Sequence, residues 1–229
     1  MTQDHEKDKD KFLKERASLV EWLKSRGYIK SDTVANAVLK VPREEFVPPE
    51  YRDYTYLETP LPLPGKNATI SCVHTYCIYY EALKLSPGDR FLEVGMGSGY
   101  GAALARELVG SRGRIVTVEI DEETYRFGKA NLERLGYNDV ITILDDGSGG
   151  YEKYAPYDKI AVTAACPEEP RRIIEQLEKP GAIIYPVGGS RYQYLMLTEV
   201  NKEGKVSSQF LTTVVYVPLR GKYGVSFYK

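Results

Sequence analysis

Hydrophobic positions at the start of the chain recur with the spacing of an amphipathic helix. The apolar residues share one helical face until Gly27 ends the pattern: Phe12, Leu13, Leu19, Val20 and Leu23. The mixed-charge run DHEKDKDKFLKER around the start of this pattern is typical of a solvated helix end. A second helix is predicted from a cap at Ser31 or Asp32 to about Leu39, because such residues favour helix starts.

The next stretch shows no sustained hydrophobic period. It reads VPREEFVPPEYRDYTYLETPLPLPGKN and contains six prolines, which lack the N–H that helices and central strands require. We expect an extended segment that covers part of the molecule. Its length points to a functional role, since long loops in compact domains tend to be functional.

From Arg90 onward, short apolar runs alternate with helical patterns. Five runs are predicted strands: RFLEVG, RIVTVEI, VITIL, KIAVTA and AIIYPVG. The helices between them are predicted at Tyr100–Val109, Glu122–Leu135 and about Glu168–Glu178. Such alternation predicts a Rossmann-like, doubly wound α/β sheet with parallel strands. YQYLMLTEV and SQFLTTVVYVPL flank a turn at NKEG and predict a C-terminal antiparallel hairpin at the sheet edge.

The composition fits a single domain of 229 residues, 42% of them hydrophobic. We expect N-terminal helices and a cover segment over 1–89, an α/β core over 90–189, and antiparallel strands with a tail over 190–229. With 31 basic and 32 acidic residues, no global positive field favours a nucleic-acid partner. The charged N-terminus and the lack of a long apolar run predict a soluble, cytoplasmic protein without a membrane partner.

The cysteines and histidines show no paired metal-ligand spacing. Cys72, Cys77 and Cys166 are expected to be reduced thiols, and the two histidines are His5 and His74. The sequence therefore predicts no metal.

A glycine-rich turn, RFLEVGMGSGYGAALARELVG, carries the first chemical signal. Gly97-x-Gly99-x-x-Ala102 matches a dinucleotide fingerprint, whereas Glu93-x-Gly95-x-Gly97-x-Gly99 matches the loop of S-adenosylmethionine methyltransferases. The local pattern leaves both ligands open.

Ligands of open parallel sheets bind at the carboxyl ends of the strands, which selects further residues. Glu119 can accept from both ribose hydroxyls, Asp146 can accept from the adenine amine, and glycines allow a close backbone approach. Asp121 could be no more than a helix cap. The predicted cofactor-binding residues are Gly95, Met96, Gly97, Gly99, Glu119, Ile120, Asp146 and Gly147. Adenosine fits either ligand, and the early hairpin favours the methyl donor because it leaves no second nucleotide-binding half.

The ordered motifs from about Gly27 to Gly224 resemble the protein-L-isoaspartate (D-aspartate) O-methyltransferase family. They include GYIKSDTVANAVLKVPREEFVP, PLPLPGKNATIS, FLEVGMGSGYGAALAREL, DDGSGGYEKYAPYDKIAVTAACPEEP, QLEKPGAIIYPVG and VVYVPLRGKYG. The resemblance implies that S-adenosylmethionine is converted to S-adenosylhomocysteine while an L-isoaspartyl α-carboxylate in a peptide or protein is methylated. D-aspartyl residues are a further implied substrate. The ester then collapses to a succinimide without further catalysis.

The same resemblance implies roles for individual residues. Ser71 would donate to the substrate carboxylate, with Thr69 near the donor, and His74 would contact the peptide beside Val217, Pro218 and Leu219. The chain departs from the family at Cys72-Val73, where Ala-Pro or Gln-Pro is usual. No general base is needed, because an α-carboxyl group with a pKa of about 3.5 is already ionised at neutral pH. The alternatives are a methyltransferase acting on RNA or a small carboxylic acid, and a non-catalytic adenosine-binding protein.

Overall fold

The computed structural model describes the backbone of residues 2–225 and the side chains of residues 10–225. His5 and residues 226–229 of the predicted tail lie outside the described side chains. Two helices open the chain as predicted, α1 at Thr2–Ser25 and α2 at Asp32–Lys40. Gly27 follows α1 with a φ of 73°, and the Ser31 hydroxyl caps α2 by accepting from the Val34 amide over 3.3 Å.

The proline-rich segment is less extended than predicted. It contains 3-10 helices at Arg43–Glu45 and Pro49–Tyr54, and a short strand β1 at Leu61–Pro62 that pairs with β2 at Thr69–Ile70. The buried Glu44 carboxylate accepts hydrogen bonds from Arg16 and Tyr56, so polar contacts hold this segment against α1.

Helix α3, Val73–Leu83, was not predicted. Its first turn has no local side-chain cap at Cys72. The cap comes instead from Glu58, whose carboxylate accepts from the backbone amides of Val73 over 3.1 Å and His74 over 3.3 Å. Local sequence gave no sign of this start because the capping residue lies far upstream.

The main sheet has seven strands and confirms the predicted α/β fold. In chain order these are β3 at Arg90–Val94, β4 at Arg114–Glu119, β5 at Ile141–Leu144, β6 at Tyr157–Val162, β7 at Leu177–Gly188, β8 at Gln193–Val200 and β9 at Val206–Val214. Their order across the sheet is β5-β4-β3-β6-β7-β8-β9. The pairs from β5 to β7 are parallel, whereas β8 and β9 form the predicted antiparallel edge.

Three helices connect the parallel strands: α4 at Tyr100–Val109, α5 at Glu122–Arg134 and α6 at Arg171–Ile174. The predicted helix over 168–178 was wrong in its length. Pro170 precedes α6, and Leu177 already pairs with Tyr157 as the first residue of β7. The Gln176 side chain donates to the Gly149 carbonyl over 2.7 Å, which turns the chain into that strand.

Hydrophobic cores cover both faces of the sheet. Along β3, Phe91 packs into the core shared with α1 to α5, while Leu92 packs into the core that includes Ile173 and Leu219. The chain runs outward from β3 through β4 to β5 and then returns to β6 on the other side. This reversal places a crevice at the carboxyl ends of β3 and β6, where α/β sheets bind their ligands. Among the described helices, none has the length and apolar character needed to cross a membrane.

Candidate active site

A cavity lies at the carboxyl ends of β3, β4 and β6. Together with the open solvent at its mouth, this space measures about 850 Å³. Of the predicted donor residues, six line it: Thr69, Gly95, Gly97, Glu119, Ile120 and Gly147. Because most of the predicted donor residues lie here, we refer to this space as the donor cavity. Val217, Pro218 and Leu219, which were predicted to contact the peptide, line it too.

The glycine loop after β3 is shaped by positive φ angles. Gly95 has φ of 100°, and a Cβ there would lie 2.3 Å from Thr163 Oγ1. Gly97 has φ of 56° and faces the donor cavity, where the nearest atom to an added Cβ would be 3.6 Å away. The backbone at Gly97 is therefore open to a ligand, and a side chain would occupy that space.

Met96 and Gly99 lie in the same loop but do not line the donor cavity. Met96 is buried, and its methyl group packs near Gly128 of α5. A Cβ on Gly99 would lie 2.9 Å from Leu132 Cγ, so this glycine allows α5 to pack closely. The structure gives both residues a packing role.

Glu119 is buried at the end of β4, and backbone donors fix its carboxylate. Oε2 accepts from the Gly97 amide over 3.0 Å, while Oε1 accepts from the amides of Ile120 over 3.0 Å and Asp121 over 3.1 Å. Arg220 Nη2 lies 4.0 Å from Oε1. The carboxylate is thus oriented at the cavity wall with an arginine beside it.

Asp121 caps α5, as its position after the strand suggested, by accepting from the Thr124 amide over 3.1 Å. Its other oxygen accepts from the Lys66 amide and from Arg220 Nη1, each over 3.3 Å. Burial acts to raise the pKa of Asp121, but hydrogen bonds, chiefly from Thr124 and Lys66, lower it overall. Asp121 therefore anchors the cover segment and the C-terminal segment at the donor cavity.

The Asp146 carboxylate faces the C-terminal loop and does not line the donor cavity. Oδ1 accepts from the Ser148 amide over 2.9 Å, and Oδ2 accepts from the Lys222 amide over 2.7 Å. Burial opposes ionisation, yet the hydrogen bonds from Ser148 and Lys222 lower the pKa of Asp146. A Cβ on Gly221 would lie 2.0 Å from Oδ1, so the loop can approach this closely only with glycine.

A second, wider groove adjoins the donor cavity and contains Ser71 and His74. We call it the acceptor groove; it is lined by Pro60, Thr69, Ser71, Cys72, His74, Thr75, Thr163, Tyr192 and Thr213 to Val217. Thr69, Thr163 and Val217 line both spaces. The two spaces therefore meet at these three residues.

Ser71 lies beside a chain of hydroxyl groups. Its hydroxyl interacts with the phenol of Tyr216, which in turn interacts with Tyr79. Tyr79 donates to the Val162 carbonyl over 2.9 Å, so this series of hydroxyl groups ends at β6. Burial raises the pKa of Tyr216, which keeps the phenol neutral.

His74 is held on the other side of the acceptor groove. Its Nδ1 is in direct contact with Glu58 Oε2, and its ring packs against Tyr28 with centroids 5.1 Å apart. The carboxylate that caps α3 thus also orients the imidazole.

Glu93, the first residue of the glycine motif, is buried behind the loop. Its Oε2 accepts from the Thr117 hydroxyl over 2.7 Å, and a Cβ on Gly101 would lie 2.1 Å from Oε1. Burial raises the pKa of Glu93 to about 8. The group is therefore largely protonated at neutral pH and has a structural place under the loop.

Several lining residues were missing from the sequence prediction. Thr163 donates its hydroxyl to the Gly95 carbonyl over 2.7 Å, and its position at the end of β6 was the signal that could have found it. Arg220 and the loop Lys66–Asn67–Ala68 also line the donor cavity. Asp121 accepts hydrogen bonds from the Lys66 amide and from Arg220, and no local pattern in the sequence predicts these contacts.

Comparisons with known proteins agree with this architecture. The family model described as protein-L-isoaspartate (D-aspartate) O-methyltransferase matches residues 14–224. A protein-L-isoaspartate O-methyltransferase of Methanopyrus kandleri is 45% identical over 214 residues, covering 93% of this chain and 94% of the relative. Protein-L-isoaspartate O-methyltransferase 2 of Archaeoglobus fulgidus is 46% identical over 194 residues, which cover 85% of this chain and 88% of the relative.

Solved structures give the same result. A protein-L-isoaspartate O-methyltransferase with 32% sequence identity superposes with a TM-score of 0.81, covering 91% of this chain and 67% of that one. A Plasmodium falciparum protein described as a beta-aspartate methyltransferase, solved in complex with S-adenosyl-L-homocysteine, has a TM-score of 0.78 at 26% identity. The superposition covers 90% of this chain and 98% of the Plasmodium chain.

Proposed function

Because the chain belongs to the protein-L-isoaspartate (D-aspartate) O-methyltransferase family, we propose that it methylates the α-carboxylate of L-isoaspartyl residues in damaged peptides and proteins, with S-adenosylmethionine as donor. The supporting observation is the junction at which Thr69, Thr163 and Val217 line both the donor cavity and the acceptor groove. A donor in one space and a peptide in the other would meet there.

The donor cavity suits an adenosine carrying a sulfonium side chain. Glu119 presents a fixed carboxylate that can accept from ribose hydroxyls, and Ile120, 37% exposed, offers an apolar surface for a base. Gly95, Gly97 and Gly147 keep the backbone side of the cavity free of side chains. When bound, the donor supplies an electrophilic methyl group whose leaving group is a neutral thioether.

The acceptor groove fits a carboxylate nucleophile. An α-carboxylate is ionised at neutral pH, so the protein must position it and remove its water rather than take its proton. Ser71 supplies a hydroxyl donor, and Val217 lines the groove where an extended peptide would lie. His74 stands at the groove wall as a further contact for the peptide.

We also propose a wider substrate range and a cytoplasmic location. D-aspartyl residues are an additional substrate, as the family description suggests. A cytoplasmic location is supported by the three cysteines, all of which are free thiols. Relatives at 41% to 46% identity are named protein-L-isoaspartate O-methyltransferases, which weighs against RNA or a small carboxylic acid as acceptor.

The experiment offers an isoaspartyl peptide and an RNA transcript to the enzyme in separate reactions with labelled donor. We expect a methyl ester on the peptide α-carboxylate, located by fragmentation mass spectrometry, followed by appearance of the succinimide. Label in the RNA and none in the peptide would reject the proposal.

A further inference from the structure

Three metal-ligating side chains meet at the wall of the acceptor groove, outside the junction with the donor cavity. Glu58, Cys72 and His74 each offer one ligand atom, and these atoms all lie within 4.8 Å of one another. We propose that they form a binding site for a thiophilic divalent cation such as Zn²⁺, and that an occupied site obstructs the acceptor groove. The obstruction rests on the proposed function, whereas the binding does not.

The geometry needs only small side-chain movements to bind zinc. Zinc bonds to sulfur, imidazole nitrogen and carboxylate oxygen measure about 2.0 to 2.3 Å, which sets tetrahedral ligand atoms roughly 3.3 to 3.8 Å apart. Shifts of about 1 Å bring the three atoms into that range. His74 Nδ1 and Glu58 Oε2 are already in contact, so both atoms can reach one cation. Three protein ligands leave the fourth position to water.

The three ligands belong to one locally fixed unit. The Glu58 carboxylate is tied to the first turn of α3 by the amides of Val73 and His74. Cys72 directly precedes this helix, and the Tyr28 ring supports the imidazole. Ligands that are held by surrounding contacts lose little freedom when a metal binds, so the site is largely preorganised.

Charge and proton balance follow from the ligand set. When the metal binds, the Cys72 S–H bond breaks, the sulfur binds the metal and the proton passes to the buffer. One carboxylate and one thiolate then balance the two charges of the cation.

The sequence did not reveal this site because Glu58 lies far from Cys72 and His74 along the chain. Cys72 supplies the only sulfur ligand among the three residues. Cys72→Ala removes this soft ligand, which makes it the natural test variant.

The binding test titrates the metal-stripped full-length protein with Co²⁺ in the presence of a non-thiol reductant. We expect thiolate-to-cobalt charge-transfer absorption in the near ultraviolet, lost in Cys72→Ala and retained in Cys166→Ala, whose cysteine is buried elsewhere. Zn²⁺ should displace the cobalt and bind Cys72→Ala at least about 100-fold more weakly than the wild type, since loss of even a supporting group costs 10- to 100-fold. Absent absorption, or absorption that persists in Cys72→Ala, overturns the proposal.

The activity test compares both proteins with and without Zn²⁺. After chelation, the rate of isoaspartyl-peptide methylation is measured for each protein and serves as that protein's own reference. Added Zn²⁺ should inhibit the wild type in competition with peptide and leave Cys72→Ala unaffected. Equal inhibition of the two proteins contradicts the obstruction. Lack of activity in both chelated proteins contradicts the proposed function instead, and the cobalt spectrum still decides the metal site.

Discussion

The Oε2 atom of Glu119 accepts a hydrogen bond from the backbone N–H of Gly97 over 3.0 Å. This contact joins the end of β4 to the glycine loop that follows β3, so the two parts of the donor cavity hold each other in place. The acid expected to bind ribose is thus oriented before any ligand arrives, which lowers the cost of binding.

Replacing Glu119 by Gln tests that role. The variant keeps the size of the side chain but loses the charge and part of its acceptor capacity. We expect affinity for S-adenosylhomocysteine to fall by about 1 to 3 kcal/mol, as measured by calorimetry. Glu123→Gln, an exposed change on α5, is the control and should bind normally. Equal affinities in the two variants would remove Glu119 from the donor site.

Asp146 can be tested together with the loop that it holds. Asp146→Ala is expected to weaken donor binding by on the order of 1 to 3 kcal/mol, and it also removes the hydrogen bonds that Asp146 accepts from the Ser148 and Lys222 amides. Gly221→Ala disturbs the loop contact alone, because its Cβ would lie 2.0 Å from Asp146 Oδ1. We expect it to cost less donor affinity. Identical losses mean that Asp146 acts only through the loop, and an unchanged dissociation constant in Asp146→Ala means that adenine lies elsewhere.

Ser71→Ala should lower methyl transfer far more than donor affinity. One lost hydrogen bond to a charged group corresponds to roughly 1 to 3 kcal/mol in the barrier, or about tenfold to a hundredfold in rate. The neighbouring hydroxyls of Tyr216 and Tyr79 remain, so the groove keeps its shape. The rate constant and the melting temperature are measured on one preparation. Wild-type turnover with a lowered melting temperature would make Ser71 a packing residue.

Glu93 should make stability depend on pH. Its pKa is about 8 in the folded protein and near 4.5 when unfolded, so between these values the folded state holds a proton that the unfolded state has lost. Stability therefore falls as pH rises through this window, by at most about 1.4 kcal/mol per pH unit. We expect the melting temperature to drop less between pH 6 and pH 8 in Glu93→Gln, which keeps an acceptor for Thr117. The same drop in both proteins contradicts a raised pKa.

The sequence predicted the sheet and most helices because hydrophobic period and glycine stops are local signals. Tyr100–Val109 is found as predicted, and α5 ends one residue before the predicted Leu135. Failures occurred where a distant residue decides the local structure. Glu58 caps α3 from far upstream, and the pairing of Leu177 with Tyr157 ends α6 early.

The same limit applies to the site. Glu119 and the cavity-facing glycines could be predicted because the carboxyl ends of parallel strands meet at one edge. Arg220 could not, since its contact with Asp121 brings together residues 99 positions apart. Asp146 was placed correctly at the end of β5, but its contact with the Lys222 amide depends on the path of the C-terminal loop.

A paired-peptide assay is the most direct test of isoaspartyl methylation by this enzyme. Two peptides of one sequence, differing only in an L-isoaspartyl or a normal L-aspartyl linkage, are incubated with labelled S-adenosylmethionine and the full-length enzyme, and base-labile methyl ester is counted. We expect ester on the isoaspartyl peptide and none above background on its aspartyl partner. Equal methylation of both peptides, or of neither, would contradict it.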